Sequence, residues 1–257
     1  MRRAATWLLA ALPLAAHAGD PGWARLPGGT FESVLRYEDA RRGVRVAPFE
    51  LMRTPVTNAQ FLDFVRRNPQ WRRDRAPRLF VEPRYLSHWK AAATIGPPAR
   101  PEQPVTWVSW FAADAYCAAQ GARLPTWNEW EYAAAADETR RDARDDPAWR
   151  ERILTWYSRP SNTALPRAGL QAPNAWGVQD LHGLVWEWTD DASALLVDAD
   201  NRKQGDADDT RFCGAGALSM DDRGNYAVLM RVAMLSSLAA RDATAHMGFR
   251  CARTVVR

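Results

Sequence analysis

The second half of this chain shows almost no regular periodicity, and that constrains its fold more than any other feature. From Ile153 onward, Gly, Pro, Asn and Trp punctuate short apolar runs, a pattern of short strands joined by long loops. Yet 47% of the 257 residues are hydrophobic, enough for a substantial core. Large rings have to build much of it. Thirteen Trp are present, and six of them stand in short paired motifs: Trp107 and Trp110, Trp127 and Trp130, Trp186 and Trp188. Rings filling a loop-rich core are the simpler reading of these motifs, ahead of a row of sugar-stacking platforms.

Regular elements are legible mainly in the first half. Leu26 to Met52 is broken into short apolar pieces by Gly28-Gly29 and Arg41-Arg42-Gly43, which predicts strands and hairpins. Thr57, with Gln60 three positions on, predicts a capped helix ending near Asn68-Pro69, with Phe61, Phe64 and Val65 on one face. Residues 70–104 are Arg- and Pro-rich, a long irregular segment that is either an ordered loop or a mobile one. Val105 to Ser109 reads as a short buried strand, and Ser109 as the cap of a helix to Gln120 stopped by Gly121. Thr126 and Glu129 form a second capping box before Trp130, Ala133 and Ala134. Asp137 to Arg152 reads as charged surface and Asp198 to Asp209 as an acidic surface loop. This mixture is an α+β fold of low regular content.

The N-terminus carries Arg2 and Arg3, an apolar run from Ala4 to Ala16, and the small-x-small end Ala16-His17-Ala18. That is the form of a secretory signal spanning residues 1–18, with residues 19–257 as the exported chain. The run is short of the ~20 residues that span a bilayer, and no second apolar run of that length follows, so no membrane span is expected in the mature chain. The localisation expected is periplasmic or extracellular. The formal charge is +4, and +2 without Arg2 and Arg3. A balance that near to neutral does not mark a nucleic-acid partner. Three cysteines, Cys117, Cys213 and Cys251, allow one bridge and one free thiol, with the pairing open.

Four segments together resemble one family. They are Pro55-Val56-Thr57-Asn58 with Phe61; Pro104-Val105 through Val108-Ser109-Trp110, Ala115-Tyr116-Cys117, Arg123-Leu124-Pro125-Thr126 and Glu129-Trp130-Glu131-Tyr132-Ala133; Asn174-Ala175-Trp176-Gly177-Val178 with Asp180-Leu181-His182-Gly183-Leu184-Val185-Trp186-Glu187-Trp188; and Gly248-Phe249-Arg250-Cys251. In this order they resemble the formylglycine-generating-enzyme-like (sulfatase-modifying-factor) family. The resemblance implies one domain, a variant of the C-type lectin fold. It implies a Cys117–Cys251 bridge, leaving Cys213 as a buried free thiol. It implies a structural calcium ion held by Asp180, Gly183, Val185 and Glu187, against the simpler reading that Asp180 and Glu187 cap the turn. The family's other calcium site would include Asn162, but its second half is missing here.

The sequence departs from the family at its chemistry. Formylglycine formation uses two Cys that hold copper as thiolates. Their positions fall at Ser219 and within Arg223 to Ala227, where no Cys stands, and the preceding turn reads Gly214-Ala215-Gly216. Cys213 precedes the turn and cannot replace a pair. His88, His182 and His246 include no i, i+4 pair, so a redox metal has no evident ligand set, and each His reads as a hydrogen-bonded structural residue. The candidate cleft residues are Trp186, Ser219, Arg231 and His246, with Arg241, Asp221 and Asp222 nearby in sequence. Arg250 reads as half of a buried salt bridge; Arg231 stays open between that role and the cleft. The segment from Phe212 to Ala217, with Asn225-Tyr226-Ala227 and Met230-Arg231, resembles cysteine-poor periplasmic members associated with pyoverdine maturation and copper nitrite reductases. The function expected is an exported maturation or accessory factor for a periplasmic protein or metabolite. The alternative is a non-catalytic lectin-like protein-binding module. Sugar binding is disfavoured, since Glu82-Pro83-Arg84 does not replace the Glu-Pro-Asn loop of calcium lectins.

Overall fold

Alternating burial drives the main sheet. Strand β1 (Trp23–Leu26) buries Trp23, Ala24 and Leu26 and exposes Arg25; a computed structural model of the chain describes this strand within residues 22–33, 43–158, 164–192 and 226–255. β1 pairs antiparallel with β4 (Phe49–Met52), from Trp23↔Met52 to Leu26↔Phe49. β4 also pairs with β7 (Ala252–Thr254), which sets Leu51 opposite Ala252, so the two ends of the described chain meet in one three-stranded sheet. β2 (Gly29–Phe31) and β3 (Val44–Val46) form the hairpin expected in this region. Gly28 precedes it at φ +69, where an added Cβ would meet the Val46 carbonyl oxygen at 2.3 Å.

The capped helices stand as the local sequence dictates. α1 (Asn58–Arg67) has both arms of the Thr57/Gln60 capping box and buries Phe61, Phe64 and Val65. α2 (Trp110–Ala119) starts on Ser109, whose side chain accepts from the Ala112 N–H, and Gly121 follows it at φ +63. α3 (Trp127–Ala134) has both arms of the Thr126/Glu129 box. The rings of Phe61, Phe64, Tyr116 and Phe249 contact one another at centroid separations of 5.3–6.0 Å. Beside them Cys117 and Cys251, both fully buried, form the implied disulfide across 134 residues.

The long segment 70–104 is an ordered loop. It opens with a 3-10 turn, Pro69–Trp71, and buries Val81, Tyr85, Leu86 and Trp89, with the Tyr85 hydroxyl donating to the Trp71 carbonyl.

Two expectations need correction. Residues 105–109 are buried at Val105 and Val108 but form no strand. Trp107 sits in the left-handed region at φ 54; Val105 donates to Val56, while Trp107 donates to Thr244, so no single partner runs alongside. The charged stretch 137–152 is not only surface. It runs into α4 (Pro147–Tyr157), capped by Asp146 and burying Trp149 and Ile153. An apolar face of two residues among charges is too narrow a signal for a helix. Beyond it, α5 (Tyr226–Ser236) is a second helix that the fading periodicity conceals.

Parallel strands β5 (Trp186–Glu187) and β6 (Met247–Gly248) complete the elements. No helix among the described residues is long and apolar enough to cross a membrane. The leader at 1–18, the acidic loop 198–209, Asn162, Cys213, Gly214–Gly216, Ser219, Asp221 and Asp222 lie outside the described residues.

Candidate functional site

The paired Trp motifs converge on one stretch of backbone. Trp110 donates its N–H to the Ala240 carbonyl, Trp107 to Thr244, Trp186 to His246 and Trp188 to Gly248, at 2.7–3.0 Å. Two indoles stitch the motifs to each other: Trp110 Nε1 donates to the Thr189 carbonyl and Trp188 Nε1 to the Val108 carbonyl, each at 2.8–2.9 Å. Trp188 is buried, whereas Trp107, Trp186, Thr244 and His246 are partly exposed. Residues 244–246 are therefore a rail along which two accessible rings hang.

Beneath the rail lies a buried charge centre. Glu187, with no exposed surface, accepts from Arg250 Nη2 on Oε1, and from Arg250 Nε and Trp130 Nε1 on Oε2, at 2.8–2.9 Å. Arg250 also donates to the carbonyls of Met52, Arg53 and Gln179, so its fork ties sheet, turn and rail together. This is the buried bridge expected of Arg250.

Arg231 behaves differently. Its guanidinium lies 3.5 Å over the Trp130 ring and donates Nη2 to the Glu187 carbonyl at 2.6 Å, while Nε has no partner. Among the described residues it has no carboxylate partner, and burial holds its pKa down at about 10.

The structure thus brings Trp186, Arg231 and His246 to one place: the first two through the β5 backbone, the third through its carbonyl on Trp186. Ser219 lies outside the described residues. Sequence reasoning missed Tyr157. It closes α4 and stacks on Trp186 with ring centroids 4.9 Å apart, and burial pushes its hydroxyl up to about 12. No local pattern announces that contact, because it depends on α4 docking.

The carboxylates Asp180 and Glu187 accept from different donors. Asp180 stands at φ 62 and accepts from the Gly169 and Gln171 N–H groups; burial pushes its carboxyl above the usual range, and Glu187 adds to the rise. Gly183, at φ 81, is required because an added Cβ would meet the Trp156 ring at 2.7 Å. Among the described residues no three His, Cys, Asp or Glu side chains converge as a metal-ligand group.

The remaining histidines are structural. His182 donates Nε2–H to the Ala134 carbonyl at 2.9 Å among Trp130, Trp149 and Trp156. His88 donates to Asn58 Oδ1 at 3.2 Å. Burial depresses both to about 4, so both rings are neutral.

Comparison with known proteins places the chain in a family. The family described as sulfatase-modifying factor enzyme 1-like domain matches residues 12–255. A mouse protein (Mus musculus) named inactive C-alpha-formylglycine-generating enzyme 2 is 30% identical, over 98% of this chain and 92% of its own. The formylglycine-generating enzyme of Streptomyces coelicolor is 31% identical, over 93% of this chain and 91% of its own. Among solved structures, PvdO from Pseudomonas aeruginosa aligns over 91% of this chain and 94% of its own, at 19% identity and a TM-score of 0.45. Matched over nearly its whole length, the chain belongs to the sulfatase-modifying factor enzyme 1-like family.

Proposed function

We propose that this protein is an exported maturation or accessory factor that acts on a periplasmic protein or metabolite and is not a copper-dependent formylglycine synthase. One observation carries the reading: a family match over residues 12–255 is combined with Ser219, and with residues 223–227 free of Cys, at the positions of the family's two thiolates. A hydroxyl supplies no soft sulfur ligand for copper. Trp186 and His246, both partly exposed, would line a cleft without that chemistry, with the buried Arg231 beside them on the β5 backbone. The signal-like residues 1–18 and the Cys117–Cys251 bridge favour an oxidising compartment. The fold is taken as a variant of the C-type lectin fold.

The turn would hold a structural calcium ion through Asp180, Gly183, Val185 and Glu187. Two carboxylates and two carbonyls within eight residues are hard donors that fit calcium. Glu187 Oε1 accepts one hydrogen bond and each Asp180 oxygen accepts one, so lone pairs remain for a cation. Bound there, the ion would neutralise buried carboxylates and brace the turn under Trp186.

The test is metal analysis of protein purified from a periplasm, together with capture of partners on wild type and on Trp186→Ala. Calcium without stoichiometric copper, and a partner lost with Trp186→Ala, are expected. Stoichiometric copper would overturn the reading. A second reading, a non-catalytic binding module, is favoured by similarity to the mouse protein whose name calls it inactive. It predicts partner retention with no covalent change in the partner.

A further inference from the structure

The rail continues past His246 to a feature that none of the cleft residues uses. Trp107 is fixed from both sides: its N–H donates to the Thr244 carbonyl and its own carbonyl accepts the Leu86 N–H, each at 2.8 Å. Both Trp107 and Leu86 occupy the left-handed region, at φ 54 and φ 49. Such a non-Gly residue persists only where its surroundings over-determine it. Here the strain presents one partly exposed indole, and that indole carries the Arg84 guanidinium 4.7 Å from its ring centre.

Arg84 is itself held in place. Glu82 donates its N–H to the Arg241 carbonyl, and its carboxylate accepts the Ala243 N–H, which fastens one side of the turn to the rail. On the other side Tyr85 and Leu86 are buried, and the Arg84 carbonyl accepts the Ser87 N–H. The side chain nevertheless remains exposed and has no carboxylate partner among the described residues. A cation laid over an aromatic ring, on a braced turn and with its N–H edge unused, is pre-organised to receive an anion.

The geometry points to a carboxylate-binding subsite made by Arg84 and Trp107. It lies beside the Thr244–His246 rail and takes an anionic group of the substrate while the rest of that molecule runs toward Trp186. The Met247 N–H donates to the Thr244 carbonyl, so Thr244 and His246 stand in one turn, and Trp107 and Trp186 are both fastened to that turn. The ligand class is therefore an acidic one: an extended peptide with a Glu or Asp side chain, or a small carboxylate. This assignment rests on the cleft reading above, but it is tested by binding alone.

The probes are acetyl-Ala-Glu-Ala-amide, its Gln counterpart, and free glutarate, titrated into the oxidised full-length mature protein. Binding is read from the Arg84 Nε–H and Trp107 Nε1–H resonances. The Glu peptide or glutarate is expected to shift both signals, with the Gln peptide at least tenfold weaker. R84Q should lose that preference, and R84K should restore only part of it, because Lys keeps the charge without the planar stack. W107N should do the same as R84Q while keeping the fold, since Asn tolerates the left-handed backbone. A tenfold preference for the peptide over glutarate would identify a polypeptide source, and the reverse a metabolite. Equal binding of the Glu and Gln peptides, or R84Q binding like wild type, would overturn the subsite. Neither result depends on whether Trp186→Ala abolishes partner capture.

Discussion

The Trp186 N–H donates to the His246 carbonyl at 2.7 Å, and this bond joins the Trp-Glu-Trp turn to the last segment before the disulfide. It is one of four such bonds from Trp residues to the stretch 240–248, so the Trp motifs and the closing motif form one unit. Changes that loosen the closing motif should reach the cleft directly.

The disulfide is the first case. Cys117–Cys251 closes a loop of 134 residues between two fully buried sites. Loop entropy alone assigns it ~4–5 kcal/mol. Cys251→Ser should lower unfolding stability by about that amount in urea, with wild type under reducing conditions behaving alike. A loss below about 1 kcal/mol would show that the buried interior, not the bridge, holds the ends together.

Arg250→Met should cost about 3–5 kcal/mol, since it leaves the fully buried Glu187 carboxylate without its guanidinium. Combining it with Glu187→Leu should recover a large part of the loss. A double-mutant cycle in denaturant separates the pair from the surrounding carbonyl contacts.

Arg231→Lys should be costly although charge is conserved. The guanidinium stacks 3.5 Å over Trp130, and an ammonium gives up the planar contact. A loss of about 1–2 kcal/mol in thermal or chemical unfolding is expected. Tryptophan emission should shift as the cation leaves the Trp130 ring.

Acid should weaken the fold through His88. Its folded pKa is about 4, depressed first by burial and then by Arg73, against an ordinary value of 6.5. The unfolded chain therefore binds more protons between those values, so this contribution is complete above about pH 6.5 and declines as pH falls toward 4. His88→Gln keeps a donor for Asn58 and should flatten that part of the stability–pH curve.

Calcium removal should lower the melting temperature. A cation bound only by the folded state adds RT ln(1 + [L]/Kd), so chelation withdraws that stabilisation and added calcium restores it. Asp180→Ala should abolish the response to calcium. An unchanged melting temperature with chelator would leave Asp180 as a cap of the Gly169 and Gln171 N–H groups and Glu187 as the partner of Arg250 and Trp130.

What the sequence determined by itself is local or composition-bound. The boxes at Thr57/Gln60 and Thr126/Glu129, the cap at Ser109 and the stop at Gly121 are visible because each hydrogen bond closes within a few residues. The low regular content follows from punctuated apolar runs, and the Cys117–Cys251 pairing from a family resemblance rather than from spacing. Only the tertiary structure decided the rest. Val105 to Ser109 looks like a strand in apolar pattern, but its hydrogen bonds go to Val56 and Thr244, residues remote in sequence, and Trp107 turns left-handed to reach the second. α4 is hidden because its buried face is Trp149 and Ile153 alone, and Tyr157 gains its role only when that helix sets it on Trp186. Arg231 and Arg250 are indistinguishable as letters. One bridges Glu187 and the other lies over Trp130, because both Glu187 oxygens already accept from the Arg250 fork while the neighbouring ring takes Arg231.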